Sequence, residues 1–423
     1  MPATSAFARL TGSDPDTMPE DEARNGMIHV AALTLTKTAD ALIDPKLVLS
    51  WLMSALGAPG AMIGALVPLR EAGALLPQLA LARYVDASPQ RKRIWAMAAA
   101  LQGLAALGIA LAALTLEGAM AGAAILACLG LLAMARAGAS VSQKDALART
   151  IAKGRRGSIT GIAGSVAAGS VLAVGALLAT GLFETAITPL AGLVAIAGAA
   201  FLLAAAIFLR LREPSGSPDD TEPEAGLSAL IDPILNDSQL RLFVAARAVL
   251  SVTALAPPFI VLLSASSAQA SLGDLGPLVI ASTAASISAS YVWGRLSDRS
   301  SRQTLMAAGA LAALVFAAIA TLALTFGSLG GPWGSAAAIF AAQIAYGGVR
   351  AGRKLHLTDM AEDAFRARYT ALSNTLVGLA LLAGGVFGLI ADSFGPALVV
   401  LLFAALAAIG VALSHGLEEV QAD

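Results

Sequence analysis

The chain contains 423 residues, of which 57% are hydrophobic and only 13% are charged. Soluble globular domains carry about 25% charged residues, so the 27 Lys and Arg and the 28 Asp and Glu cannot cover the surface of a soluble protein of this length. This composition excludes a soluble enzyme and a disordered protein, and a net charge of −1 provides no basic field for nucleic acid.

The long apolar runs predict an all-α integral membrane protein with twelve spans. A bilayer core about 30 Å thick requires about 20 apolar residues in a helix, and a window of about 19 residues locates such stretches. In chain order, the predicted spans are 31–57, 61–84, 94–116, 118–140, 158–182, 187–210, 241–264, 272–294, 303–326, 332–352, 368–391 and 395–415. An even number of spans places both termini on the same side of the membrane.

The distribution of Lys and Arg predicts the orientation of the spans. Basic residues are concentrated in the links after the second, fourth, eighth and tenth spans, at 83–93, 144–156, 295–302 and 350–368. The links on the other side contain no Lys or Arg, and they carry Glu117, Glu184, Asp274 and Asp392. Because short basic loops are poorly translocated, we expect both termini in the cytoplasm and the protein in the cytoplasmic (inner) membrane.

The two halves of the sequence resemble each other. A shift of 212 residues places Arg83 and Asp86 onto Arg295 and Asp298, and a shift of 210 residues superimposes the basic loops after the fourth and tenth spans. Two parallel six-helix repeats explain this register, and such repeats place a substrate site near the bilayer midplane. The predicted division is a disordered acidic tail at 1–28, bundles at 29–212 and 241–416, a cytoplasmic linker at 213–240 and a cytoplasmic tail at 417–423.

A sequence motif follows the eighth span. The chain reads Gly294-Arg295-Leu296-Ser297-Asp298-Arg299-Ser300-Ser301-Arg302-Gln303. This run resembles the signature of the major facilitator superfamily (MFS), G-x-x-x-D-R-x-x-R-[RK]. The copy after the second span is degraded, since Ala82 replaces the glycine and Ala87 the basic residue. Together with the topology and the repeat, the motif resembles this superfamily over residues 30–415 and implies its twelve-helix fold.

The same resemblance implies a gating role for the motif. An aspartate at a helix end can meet the positive N-terminus of a neighbouring helix, and arginines can bind carboxylates of another helix bundle. Such contacts hold the cytoplasmic side closed in one state and break in the other. The residues that this assigns to the gate are Arg83, Asp86, Gly294, Arg295, Asp298, Arg299 and Arg302. The alternative is that the arginines only set the topology.

Charged residues within the first two spans are candidates for substrate or proton binding. Lys46 and Glu71 each lie 11 residues from the link between these spans, which puts both roughly 16 Å deep. Pro45 lacks an N–H and loosens the first helix at this depth. We predict that Lys46 and Glu71 form a buried pair in a central cavity, that Glu71 carries a coupling proton, and that Arg70 or Lys46 meets a polar or anionic group of the substrate. Asp44 belongs to the same set, and the alternative is a static ion pair between the helices.

Polar positions in later spans extend this set. Gln343 and Tyr346 lie three residues apart on one face of the tenth span, and Asn374 lies in the eleventh. Each is a candidate for lining the cavity, with a hydrogen bond between helices as the alternative. Arg136 and Arg247 lie near the cytoplasmic thirds of their helices, and we expect their side chains to snorkel.

These features predict a secondary active transporter that moves a small solute by alternating access and is coupled to protons or another ion. A non-transporting membrane scaffold or receptor on the same fold is the alternative, although buried charges would then cost several kcal/mol without a purpose. The sequence contains no recognisable catalytic constellation, cofactor motif or metal-ligand cluster. The expected partners are therefore a small-molecule substrate, a coupling ion and membrane lipids, with no nucleic acid, and we expect a monomer.

Overall fold

A computed structural model of the protein describes residues 2–11, 19–77, 81, 88, 90–182, 187–214, 234–265, 271–361 and 366–421. Within these ranges every regular element is a helix and no strand occurs. The α-helices are α1 Pro2–Thr11, α2 Glu20–Leu42, α3 Val48–Ala55, α4 Gly60–Leu75, α5 Arg91–Thr115, α6 Gly118–Thr150, α7 Arg156–Ala179, α8 Ile187–Phe208, α9 Ser238–Leu250, α10 Val252–Ala265, α11 Leu275–Arg299, α12 Ser301–Phe326, α13 Gly331–Met360, α14 Arg366–Ala383, α15 Val386–Phe394 and α16 Pro396–His415.

Nine helical stretches of the described chain are long and apolar enough to cross a membrane, judged by length and composition. They coincide with the third to ninth, eleventh and twelfth predicted spans, so the structure supports a multi-pass membrane protein. The other three predicted spans correspond to α2 with α3, to α4 and to α13. Six of the seven binding candidates of the sequence analysis lie in these three stretches, where they lower the hydropathy, and α4 has only 16 residues. The number twelve therefore remains a prediction.

The helix faces follow the arrangement expected in lipid. On α5, large apolar side chains spaced seven residues apart are more than half exposed, namely Met97, Leu104 and Leu111. Small side chains with the same spacing are buried on the opposite face, namely Ala99, Ala106 and Ala113. Small residues at a helix interface allow close packing where lipid supplies no hydrophobic driving force. The apolar surface of α5 is thus directed outward, as a bilayer requires.

The helices pack in two groups. In the first, α2 packs against α6, α7 and α8, α5 packs against α6 and α8, and α4 packs against α6. In the second, α9 packs against α14 and α16, α11 against α12 and α13, and α12 against α13 and α16. Contacts between the groups are made mainly by α4 with α10, α14 and α15, by α3 with α10 and by α7 with α11.

The N-terminal segment differs from the predicted disordered tail. Residues 2–11 form α1, and Phe7 is completely buried in a hydrophobic cluster that includes Ala23, Ile151 and Ile159. The Phe7 ring occupies the space that a side chain at Gly26 would fill. The acidic residues at 14–22 suggested a disordered tail, but an aromatic side chain that packs on a glycine anchors this short helix. Residues 12–18 lie outside the described part.

The segments that follow α8 and α16 are ordered by equivalent contacts. The Glu213 carboxylate accepts hydrogen bonds from the backbone N–H groups of Arg91 (3.1 Å) and Lys92 (2.9 Å) at the start of α5. The Gln421 side-chain oxygen accepts one from the N–H of Ser301 (2.7 Å) at the start of α12. Side-chain acceptors satisfy the free N–H groups of a helix start. The first described residues of the predicted linker and of the C-terminal tail thus bind the starts of helices. Residues 215–233 of the linker lie outside the described part.

Candidate functional site

A polar cavity lies between the two groups of helices. Its inner part, the central pocket, has a volume of about 580 Å³ and is lined by residues of α2, α4, α6, α7, α11 and α13 and of the segment between α2 and α3. The adjoining part, the basic vestibule, has a volume of about 790 Å³. The two parts share Ser286, Gln343, Tyr346, Arg350 and Arg353. Together they have room for a small-molecule ligand.

The structure brings most of the predicted binding residues together. Six of them line the central pocket, namely Asp44, Lys46, Arg70, Glu71, Gln343 and Tyr346. The seventh, Asn374, lines the basic vestibule. These residues belong to spans that are far apart in sequence, and all of them line the cavity.

The first span is interrupted where it reaches the central pocket. Helix α2 ends at Leu42 and α3 begins at Val48, with Pro45 in the interruption. The Asp44 carboxylate accepts a hydrogen bond from the N–H of Leu47 (3.2 Å), and the Ser50 hydroxyl donates one to the Pro45 carbonyl oxygen (2.7 Å). Polar side chains thus satisfy part of the backbone that the interruption releases. Broken helices of this kind expose backbone and side-chain polar groups to a binding site.

The ion pairs of the pocket differ from the predicted one. The Arg70 Nη2 atom lies 2.6 Å from the Asp40 carboxylate, and Arg136 pairs with the second oxygen of Asp40. In the described residues no ion pair joins Lys46 to Glu71, so the predicted direct pair is wrong. The Lys46 Nζ atom instead lies 3.6 Å from the centroid of the Tyr346 ring. Lys46 lies in the helix interruption at the pocket, and an interrupted helix does not keep the side-chain directions that helical spacing predicts.

Glu71 shares the central pocket with several cations. Those that line it are Lys46, Arg70, Arg136 and Arg353. Glu71 is half-buried and lines the central pocket. Charges in such a low-dielectric site interact over longer distances than they do in water. A proton gained or lost by Glu71 therefore changes the force on four cations, one of which, Arg353, belongs to the other helix group.

Arg136 and Arg247 do not snorkel as predicted. Arg136 points into the central pocket, where it binds Asp40. Arg247 is only 7% exposed, and its guanidinium donates hydrogen bonds to the Ser373 hydroxyl (2.7 Å) and the Asn374 side-chain oxygen (2.8 Å). Arg247 lines the basic vestibule.

Gln343 combines both of its predicted roles. Its side-chain nitrogen donates a hydrogen bond to the Ser282 hydroxyl (3.0 Å), which links α13 to α11. It also lines both parts of the cavity. The alternatives of packing and cavity lining are therefore compatible at this position.

One end of the cavity is closed by backbone contacts between the helix groups. We call this the acidic end, after Glu117, Asp274 and Asp392, and we call the opposite end, with Lys144, Arg350 and Lys354, the basic end. A Cβ atom at Gly64 would lie 2.7 Å from the Cα atom of Gly388, so α4 and α15 touch there. The Asp392 carboxylate also accepts a hydrogen bond from the N–H of Ala61 (2.8 Å) at the start of α4.

A second backbone contact closes the same end. Gly276 of α11 packs directly on the backbone of Ala179 in α7, and Gly175 packs against Val279 and Ile280 one turn further. Lys144, Arg350 and Lys354 of the basic end line the vestibule. The cavity thus extends from the closed acidic end towards the basic end.

The motif after the eighth span is helical rather than a loop. Residues from Gly294 to Arg299 complete α11, and Ser300 alone separates it from α12. Arg295 stacks on the Tyr291 ring at 4.7 Å, and Arg302 lies 3.7 Å from the Glu419 carboxylate. Asp298 and Arg299 are exposed. The predicted eighth span ends at residue 294, whereas α11 continues to Arg299, and the Ser300 side chain caps α12 by accepting a hydrogen bond from the N–H of Gln303.

In this state the motif makes none of the predicted contacts with the other helix group within the described chain. Arg302 binds the C-terminal segment through Glu419 and the Leu417 carbonyl oxygen. The gating role therefore stays a prediction about another state. Arg83 and Asp86 lie outside the described residues.

Sequence reasoning missed several residues that line the cavity. Asp40, in the first predicted span, was not among the candidates, although it binds two arginines. Arg350 and Arg353 were assigned to a cytoplasmic link, but both line the central pocket and the vestibule. Both follow Gln343 and Tyr346 on the same helix, at a spacing of three or four residues. Residues with this spacing share one helix face, and this signal could have identified them. The described chain holds no group of three metal-binding side chains.

The comparisons with known proteins identify the fold. The sequence matches no family model and no curated protein. The structure matches the nucleoside transporter NupG (TM-score 0.67, 13% identity, 94% of this chain and 98% of that one). It also matches a POT family transporter in complex with 5-aminolevulinic acid (0.70, 11%, 92% and 95%) and a D-xylose-proton symporter (0.70, 12%, 94% and 98%). The chain has the fold of the MFS transporters, as the motif implied.

Proposed function

We propose that the chain is a secondary active transporter that moves a small solute across the cytoplasmic membrane by alternating access. The observation that carries this proposal is the charged cavity between two helix groups, closed by backbone contact at the acidic end. Ionisable groups within membrane spans are costly and mark the pathways of ions and substrates. The proteins with the same fold include a nucleoside transporter and a D-xylose-proton symporter, which supports the same class of function.

The proposal includes the organisation inferred from sequence. Two six-helix bundles, at 29–212 and 241–416, rock about the cavity, and the linker at 213–240 joins them in the cytoplasm. The basic end then faces the cytoplasm together with both termini, and the conformation is open inward. The packing of the helices in two groups supports this division. A monomer suffices, because the cavity is formed within one chain.

Glu71 is the proposed site of the coupling proton. Its neighbours are the cations Lys46, Arg70, Arg136 and Arg353, and the nearest carboxylates of the same pocket are Asp40 and Asp44. Asp40 is already held by two arginines, and Asp44 binds the backbone of the helix interruption. Glu71 has no such direct partner in the described chain. It is therefore the carboxylate that can exchange a proton without breaking a structural contact.

The transport of a solute with protons can be tested before the solute is known. Purified protein is reconstituted into liposomes that enclose a pH-sensitive dye, and fractions of a bacterial metabolite extract are added outside. We expect at least one fraction to change the internal pH in these vesicles and not in protein-free vesicles. If no fraction moves protons, a scaffold or receptor on the MFS fold becomes the better explanation.

A further inference from the structure

The cavity carries a large excess of positive charge. Six Lys or Arg side chains and three carboxylates line the central pocket. The basic vestibule adds Lys144, Arg247 and Lys354 and no carboxylate. Two of the six cations of the central pocket, Arg70 and Arg136, share the single carboxylate of Asp40. Most of the cavity's cations therefore have no anionic partner among the described residues.

Arg247 is a buried cation without an anionic partner among the described residues. Its side chain is more than nine-tenths buried, its two hydrogen-bond partners Ser373 and Asn374 are uncharged, and its Nε atom is buried without a partner. Among the described residues no carboxylate pairs with Arg247, and Arg353, which lines the same vestibule, is another cation. A buried charge without a counter-ion costs several kcal/mol, so a structural role alone does not explain Arg247.

Arg353 connects this cation to the rest of the cavity. It shares the vestibule with Arg247 and the central pocket with Glu71. It lines both the central pocket and the vestibule. Each guanidinium group presents N–H donors in a fixed fork, which matches the oxygens of carboxylate and phosphate groups.

We propose that the transported solute is an organic anion whose carboxylate or phosphate group binds between Arg247 and Arg353. This inference rests on the proposed transport function and names the substrate class of the same cavity. The anion supplies the negative charge that Arg247 lacks. Glu71 brings a second negative charge into the same cavity, so protonation of Glu71 removes a repulsion that the anion would meet, and anion and proton move together.

The experiment compares pairs of compounds that share a carbon skeleton, one of them anionic and the other uncharged. Glycerol 3-phosphate with glycerol, succinate with 1,4-butanediol, and benzoate with benzyl alcohol are titrated against the purified full-length protein in a buffer of low ionic strength. The readout is the melting temperature, since a ligand that binds the folded state raises it by mass action. Phosphatidylglycerol is tested in the same way, because a lipid headgroup carries the same anionic chemistry.

Two variants make the test specific. Arg247→Met removes the buried charge, and Arg210→Met removes an exposed arginine outside the cavity. We expect an anion, and not its neutral partner, to raise the melting temperature of the wild type and of Arg210→Met. We expect this shift to be lost in Arg247→Met. Without ligand, Arg247→Met should melt at the wild-type temperature or above it, because a buried charge without a counter-ion is removed.

Several outcomes would overturn the inference. They are a shift of equal size with the neutral partners, no shift with any soluble anion, a shift with the lipid alone, or an undiminished shift in Arg247→Met. If Arg247→Met does not fold, Arg353→Gln replaces it in the same comparison, since Arg353 is less buried. Anion binding without solute-driven proton movement in liposomes would reject the transport function and leave the anion site standing.

Discussion

The Nζ atom of Lys46 lies 3.6 Å from the centroid of the Tyr346 ring, across the cavity between the two helix groups. Lys46 belongs to the interruption of the first span, and Tyr346 belongs to α13. A cation over an aromatic face is worth about 1–2 kcal/mol where water is partly excluded. This contact therefore joins the two groups at the level of the pocket without an ion pair.

The first prediction concerns this contact. Tyr346→Leu removes the ring and should lower the free energy of unfolding by about 1 kcal/mol. Tyr346→Phe keeps the ring and loses only the hydroxyl, so its stability should stay close to that of the wild type. Thermal unfolding of the two variants in the same detergent makes the comparison. Equal losses in both would show that the hydroxyl, and not the ring, carries the interaction.

Glu71→Gln tests proton coupling. The variant should fold, exchange solute in counterflow at a rate similar to the wild type, and fail to accumulate solute in response to a pH gradient. The reason is that a glutamine side chain keeps the shape of glutamate and cannot carry the proton. Glu117→Gln, at an exposed glutamate of the acidic end, is the matched control and should accumulate solute normally. Normal pH-driven accumulation by Glu71→Gln would reject the role of Glu71.

Gly388→Ala tests the closure of the acidic end. A Cβ atom at Gly388 would lie 2.7 Å from the Cα and carbonyl oxygen of Ala61, so the backbone contact between α15 and α4 must open. Gly161→Ala is the control, because open space surrounds that position.

The measurement is cysteine labelling. Cys128 is replaced by Ser, and a single cysteine is introduced in place of Ser282 in the central pocket. The rate at which an impermeant maleimide added at the acidic end labels this cysteine measures how open that end is. We expect faster labelling in Gly388→Ala only; equal rates would contradict this closure.

Two buried histidines predict how stability depends on pH. Burial lowers the pKa of His29 and of His356 from 6.5 to about 4; both lie outside the predicted spans. The unfolded chain binds protons below pH 6.5 while these folded side chains stay neutral. The free energy of unfolding is therefore highest above pH 6.5. It falls as the pH drops towards 4, by on the order of 3 kcal/mol per histidine.

The measurement is thermal unfolding across this pH interval. His29→Gln and His356→Gln should each flatten the pH dependence, because glutamine does not titrate. His415→Gln, at an exposed position near the C-terminus, should leave the dependence unchanged. An unchanged slope in both buried variants would show that other groups cause the acid sensitivity.

The sequence predicted the architecture better than the contacts within it. Hydropathy located the helices, and Pro45 marked the place where the first span is interrupted, because proline removes a backbone donor. Lys46 and Glu71 do reach the same pocket, since their depth follows from counting residues along straight helices. Their direct pairing failed, because the interruption redirects Lys46 towards Tyr346.

Contacts between side chains on distant spans could not be predicted from the sequence. Arg247 lies near the end of its span, and nothing in its neighbourhood of the chain reveals that Ser373 and Asn374 hold it in the cavity. Arg136 likewise turns inward because Asp40, on another helix, offers a carboxylate. Such pairings depend on how helices are rotated against one another, and a single sequence does not encode that rotation in any local pattern.

Alternating access driven by protonation is the central claim, and one distance measurement tests it most directly. Spin labels are placed at Ala55 in α3 and Ser393 in α15, exposed positions near the acidic end on opposite sides of the closure, with Cys128 replaced by Ser. Double electron–electron resonance in lipid nanodiscs should show two populations, one with a short and one with a long distance between the labels. The relative size of the two populations should change between mildly acidic and mildly alkaline pH in the wild type and not in Glu71→Gln. A single distance distribution that is the same at both pH values would contradict the account.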